Sequence, residues 1–527
     1  MRLFVISVCA IIVLILFIPG NSLFASEPYD SSPALKYTKL SKYKEAVRYL
    51  QEEIKIHPQS GELYFQLGEI YRAQGDLSLA VRILKKGLSR DPHNSNFYLG
   101  LGWAYSDLGN FLESIRIFKE GLRRDPHNSN FFLGLGWAYS DMGDFTEAID
   151  WFKKGLKERP GNSEIYEGLA WIFQKKNEIY KAEAFFKKAI QSGPSYACPY
   201  QGLGNLYKKI GRDSDAKEYL LKATEVEPSN SEAYFNLSLY FFAIGDLDNA
   251  HRKIDKALFF VLNDKLERLE LGLKGFVLVA KEDFGSANEV FNSIIKRYGP
   301  DSLVSAGLGH ICNSRKDFPS ARKYFEEALR FHETEEFNGK IFALIGLGWV
   351  NVNEGKFQQA AAYFKRALNE DPANILALLG IGNVYNWLKD YDQAERCFRR
   401  VLKIDKNNEY ALAGLGTVYL NRGDSKKSES LLAESLKINN KSYSCPYEGL
   451  GIIYLKQGKI KEAEDNFKKA IEISPDIEYK KYNGLAKIYF REGKFKEARQ
   501  LLEKSIQNYP EDKEARELLK EIAGGAL

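Results

Sequence analysis

Cysteine is scarce in this chain: 5 among 527 residues, none in a CxxC pair and none at a Cys/His spacing suited to zinc. Cys9 lies in an apolar leader. Cys198, Cys312, Cys397 and Cys445 are far apart in sequence, which reads as small buried hydrophobes rather than a disulfide framework. Histidine is equally rare, and of His57, His93, His127, His251, His310 and His332, the pair His93 and His127 merely occupies the same place in a duplicated stretch. No HExxH, nucleophile elbow or phosphate-binding loop is present. The chain is therefore expected to be no enzyme and to use neither cofactor nor metal. A tract of one charge is missing too: 75 basic and 70 acidic residues are mixed throughout for a net +5, which excludes nucleic acid in favour of protein as the partner class.

Charge is also absent from the start. Arg2 is followed by uncharged residues from Leu3 to Ile18, a Pro19-Gly20 break and a short stretch to Ala25-Ser26, the layout of a secretory signal peptide over 1–26. The run falls just short of a comfortable membrane span, so cleavage near Ala25 is expected over retention as an uncleaved anchor. Leu23 stands where a cleavage site prefers a small residue, and Cys9 has no lipobox before it. Either outcome sends the remainder across the membrane, to the periplasm or the extracellular space, with membrane contact only through an uncleaved N-terminus.

What the chain has in abundance is one phrase, repeated every 34 residues. Arg90 to Phe111 and Arg124 to Phe145 differ at only 3 of 22 positions. Gly68, Gly102, Gly136, Ala170 and Gly204 are evenly spaced, each followed three residues later by Tyr71, Tyr105, Tyr139, Phe173 and Tyr207. Within a unit, apolar or small residues fall at positions 4, 7, 8 and 11, then 17, 20, 24 and 27, with Gly near 15 and Pro near 32. Those are two helical stripes separated by a break. A helix of about 14 residues is marginal alone, so stability must come from stacking on neighbours.

The small residues at 8, 20 and 27, the aromatics at 11 and 24 and the Pro at 32 resemble the tetratricopeptide repeat family. Units begin at Gly61, Ser95, Ser129, Ser163, Ala197, Ser231, Arg268, Ser302, Ile341, Ile375, Glu409, Ser444 and Tyr479. The resemblance implies an all-α, right-handed superhelical solenoid of about 13–14 helix-turn-helix repeats of 34 residues. After the signal segment the chain divides into a degenerate first repeat at 27–60, repeats 1–6 at 61–264, repeats 7–13 at 268–512 and a capping helix at 513–527. Insertions at 265–267, 336–340, Tyr443 and Glu478 are expected to be loops between repeats.

The family holds its ligands on the face lined by first helices. At 100° per residue the packing stripe centres near 30° and position 9 falls at 180°, so position 9 should face that groove. It carries Trp103, Trp137 and Trp171 in three successive units, and Trp349 later. Gly100, Gly134 and Gly168 at position 6 should leave space beside each ring. Two readings stand side by side: the indoles pack and shape the array, or they form stacking platforms for an extended peptide or a short glycan, with Asn96 and Asn130 adding hydrogen bonds. Asn205 and Asn236 resemble the asparagines of carboxylate-clamp repeats. Gln201, Leu269 and Leu273 replace the basic residues of that clamp, which leaves a pair suited to a peptide backbone but not to a C-terminal carboxylate. The expected function is an exported, non-enzymatic scaffold binding protein segments; the alternatives are a carbohydrate-binding accessory of polysaccharide synthesis or export, and a repeat subunit serving a separate enzyme.

Overall fold

The computed structural model describes residues 43–261, 264–331, 339–439, 443–475, 480–509 and 511–525. The expected signal segment, the beginning of the expected degenerate first repeat, residues 336–338 and Glu478 lie outside them. Among the described residues every regular element is an α-helix. They are grouped in two compact units that part between Tyr298 and Gly299.

The first unit opens with a lone helix, Tyr43–Ile56, and continues as seven antiparallel pairs, from Gly61–Gln74 with Leu77–Arg90 to Asp264–Ala280 with Phe284–Tyr298. The second holds six pairs, from Ser302–Ser314 with Phe318–Ala328 to Lys480–Arg491 with Phe495–Asn508, and ends in the helix Lys513–Gly525. That last helix buries Ala515 and Ile522 against Ala486, Ala498 and Leu502, covering the apolar face of the repeat before it.

Local chemistry sets each helix. An Asn or Asp precedes many of them and accepts a backbone N–H with its side chain: Asn110 from Glu113, Asp144 from Glu147, Asn374 from Ala377, Asp390 from Gln393. This satisfies one of the donors a helix start leaves open. The turn between paired helices needs a left-handed residue, and Gly109 (φ 74°) and Gly143 (φ 84°) supply it without strain. Asn177, Glu282, Lys316 and Lys389 hold the same place at φ near 60°, a conformation that side chains resist. One expectation fails here. Residues 265–267 are not a loop; they extend the helix Asp264–Ala280 by most of a turn at its start, and residues 339–340 of the second insertion likewise begin the helix Gly339–Asn353. The stretch Asp264-Lys265-Leu266-Glu267 contains good helix formers and puts acidic residues at the positive end of the helix dipole.

The packing unit is an aromatic ring held between two glycines. Phe118, at position 24, is fully buried. It lies against Gly102 of its own repeat so closely that a Cβ there would overlap the ring, and a Cβ on Gly134 of the next repeat would stand 2.6 Å from it. Phe152 is clamped likewise by Gly136 and by Gly168, where a Cβ would come within 2.5 Å. The second unit repeats the arrangement with Phe364 between Gly348 and Gly380. Position 6 departs from glycine only where the preceding residue 24 is aliphatic: Gln66 follows Leu50, Asn236 follows Leu220, and Leu273 follows Ile254. The glycines at position 6 therefore do not leave the space beside the indoles that the sequence implied: the preceding repeat's ring fills it at Gly134 and Gly168, and Glu69, Leu84 and Phe65 close it at Gly100. Tyrosine hydroxyls add cross-ties between adjacent repeats, Tyr139 accepting from Lys119 (2.9 Å) and Tyr207 donating to Glu183 (2.8 Å).

Candidate functional site

Positions 2, 5, 9, 12 and 13 of each first helix share a stripe opposite the packing side. Trp103, Trp137 and Trp171 lie on it in the first unit and are half-buried. Each meets the clamped phenylalanine of its own repeat edge to face: Trp103 with Phe118 at 5.3 Å, Trp137 with Phe152 at 5.9 Å, Trp171 with Phe186 at 5.5 Å. Trp103 and Trp137 also pack on the cluster built around Leu133 and Phe152. Trp349, in the second unit, repeats the geometry with Phe364 at 5.6 Å. The indoles thus contribute to the core and to the groove at once, since a ring held edge-on and half-covered keeps part of its surface outward.

Asn96 and Asn130 are exposed in the first turns of their helices. Asn205 and Asn236 are buried, and the Asn236 amide donates to Oε1 of Gln201 at 2.6 Å. Gln201, which replaces the basic residue of the clamp, thereby joins two repeats. A related rung occurs at positions 12 and 13. The buried Arg72 guanidinium binds Glu69 (2.9 Å) and, across the repeat boundary, Asp107 (3.1 Å). In the second unit Asn353 donates to Asn313 and Asn421 to Asn386, each at 3.1 Å.

Sequence reasoning also passed over an acidic set: Glu167 and Glu232 on the stripe, with Glu270, at position 3, buried beside it. Glu167 accepts from the Trp171 indole (3.1 Å) and from the Tyr196 hydroxyl (2.8 Å). Burial outweighs these bonds and raises its carboxyl to about 7. Glu232 is raised to about 8 by burial and by the carboxylates of Glu167, Glu227 and Glu270. Glu270, fully enclosed and bonded to the Ser231 hydroxyl, is raised to about 8, burial again leading. Cys198 is held well above the usual thiol range by burial and then by Glu167 and Glu232. At the other end of the stripe burial lowers Lys208 to about 8. The signal was available, because Glu164 and Glu232 occupy position 2 and Glu167 position 5 of the face that put Trp at 9. Glu270 gave no such signal, because position 3 lies off that face.

Among the described residues no group of three His, Cys, Asp or Glu is placed to hold a metal ion, and no helix is long and apolar enough to cross a membrane.

Four sequence models described as tetratricopeptide repeat match the chain: one at residues 37–96, 352–411 and 454–522, a second at 99–163 and 141–197, a third at 301–369 and 409–476, and a fourth at 199–230. Among solved structures, the APC/C hetero-tetramer Cut9-Hcn1 is similar with a TM-score of 0.57 and 17% identity, covering 93% of this chain and 95% of that one. Yeast Tom70 gives a TM-score of 0.42 at 17% identity over 77% of this chain and 97% of that one. At such identity the likeness to Cut9-Hcn1 is one of fold. No curated protein matches the sequence.

Proposed function

The chain belongs to the tetratricopeptide repeat family, and from that premise we propose an extracytoplasmic, non-enzymatic scaffold that holds an extended polypeptide segment along its first-helix face. Such repeats form a scaffold fold typical of protein-protein interaction. The observation that carries the reading is the stripe itself. Consecutive first helices of one unit bring half-buried indoles and buried amides to the same face, in register. An extended chain spans ~3.3 Å per residue, and helices pack ~8–10 Å apart, so roughly three residues of a segment would pass each helix. Its main-chain groups would meet amides, and its side chains would meet aromatic edges.

A photoreactive benzoylphenylalanine placed in the full chain tests this. Introduced at Leu99 on the stripe it should cross-link to a polypeptide, while at Tyr180, which is 88% exposed on a second helix, it should not. Cross-links only from Tyr180, or to glycan from Leu99, would overturn the reading, the latter in favour of a carbohydrate-binding accessory. Export rests on the apolar run from Leu3 to Ile18. N-terminal sequencing of protein from an envelope fraction should begin near Ser26, and intact Met1 in soluble cytosol would overturn it.

A further inference from the structure

The acidic set on repeats four to seven lacks a counter-charge. Among the described residues Glu167, Glu232 and Glu270 make hydrogen bonds but no ion pair, and the largest charges bearing on Glu232 are Glu167, Glu227 and Glu270. Enclosed carboxyl groups are costly unless something opposes them. Beside them stand buried polar atoms with nothing to bond. Gln201 is 3% exposed and its Nε2 has no partner, although its Oε1 is bound by Asn236. Asn205, one turn further along the same helix, is 8% exposed and its Oδ1 has none. Oε2 of Glu270 is unpaired as well. Asn236 in turn bonds Glu232, so the unpaired amides and the carboxyls belong to one network.

Buried polar groups in native proteins find partners, and an open donor next to an open acceptor is the complement of a peptide group. Gln201 and Asn205 stand at i and i+4 on one helix face, where Cβ atoms are about 5–6 Å apart, which suits main chain running across the stripe. A carboxyl set at the same place repels acidic side chains and attracts basic ones. We propose that this face, between residues 163 and 280, receives a lysine or arginine side chain of the bound segment, its charge taken by Glu167, Glu232 and Glu270 and its main chain by Gln201 and Asn205. The inference rests on the proposed function and adds what the segment must carry.

Selection of random nine-residue peptides on the full chain separates the two claims. Binders from the parent should share one Lys or Arg. Replacing that residue by norleucine should weaken binding at least about tenfold in the parent and less than about twofold in Glu167→Gln/Glu232→Gln/Glu270→Gln, whose neutral, near-isosteric side chains keep the packing. Circular dichroism checks the variant, and Glu232→Gln alone, the least enclosed of the three, replaces it if folding suffers. Binders with no shared basic residue, an equal norleucine loss in parent and variant, or displacement of the peptide by equimolar spermidine would overturn this inference and leave the scaffold standing. A library that yields no binder would overturn the scaffold reading instead.

Discussion

Gly134→Ala adds a methyl carbon that would stand 2.6 Å from two atoms of the Phe118 ring and 2.8 Å from a third. The ring has no room to retreat, because Gly102 already lies against it and Phe118 has no exposed surface. Overpacking of this kind costs about 1–3 kcal/mol. Replacing a helical glycine by alanine returns about 0.5–1 kcal/mol. The net loss is then about 1 kcal/mol, within a span of about 0–2.5, confined to the junction of the second and third repeats. A tandem array does not unfold as one cooperative body, so a melting midpoint would blur the effect. Hydrogen exchange resolves it: amides within residues 111–141 should exchange several-fold faster, while those of 61–90 and 197–226 keep their protection. The decisive step is the second background. With Phe118→Leu in place, the junction resembles the native pairings of Leu220 with Asn236 and Ile254 with Leu273, where position 6 bears a side chain. There Gly134→Ala should cost nothing, or stabilise by about 0.5–1 kcal/mol, giving a coupling of about 1–3 kcal/mol between the two sites. The same cost in both backgrounds would refute the clamp.

Each of the single changes Trp103→Ala, Trp137→Ala and Trp171→Ala should lower local stability by about 2 kcal/mol, roughly half the cost of a fully buried ring, because half the indole and an edge-to-face contact are lost; hydrogen exchange of the paired second helix reads it, and no change would make the rings purely a binding surface. The Glu270 carboxyl, raised from 4.5 to about 8, binds its proton more tightly folded than unfolded. Its contribution is complete below about pH 4.5 and is lost as pH rises to about 8, so thermal unfolding of the parent should shift downward between pH 5 and pH 8 and Glu270→Gln should flatten that slope. A slope unchanged by the substitution would assign the dependence elsewhere.

The fold was legible because every repeat must bury the same face against the same kind of neighbour, and selection for that face writes Gly, Ala and Phe at fixed intervals. The helical wheel also placed Trp103, Trp137, Trp171 and Trp349 on the stripe. It could not say that their edges lean on Phe118, Phe152, Phe186 and Phe364, since the wheel describes one helix and the contact belongs to two. The carboxyl set escaped for a similar reason. Glu167, Glu232 and Glu270 each pass as ordinary polar residues of a helix; only stacking brings Glu167 and Glu270 to bear on Glu232. Gln201 read as a missing lysine, and in three dimensions it is the joint between two repeats.

The ring clamped between glycines makes adjoining repeats a lock and its key, and this limits how the array can be edited. A repeat ending its second-helix core in Phe can be followed only by one that offers Gly at its sixth place. Excising 129–162 would set Phe118 before Gly168, a legal junction that shortens the protein by one step and leaves its faces aligned. Excising 197–230 would set Phe186 before Asn236 and jam the joint. Recombination between repeats is thus sieved by two residues, and lengths reached through permitted junctions are the ones such a lineage can explore.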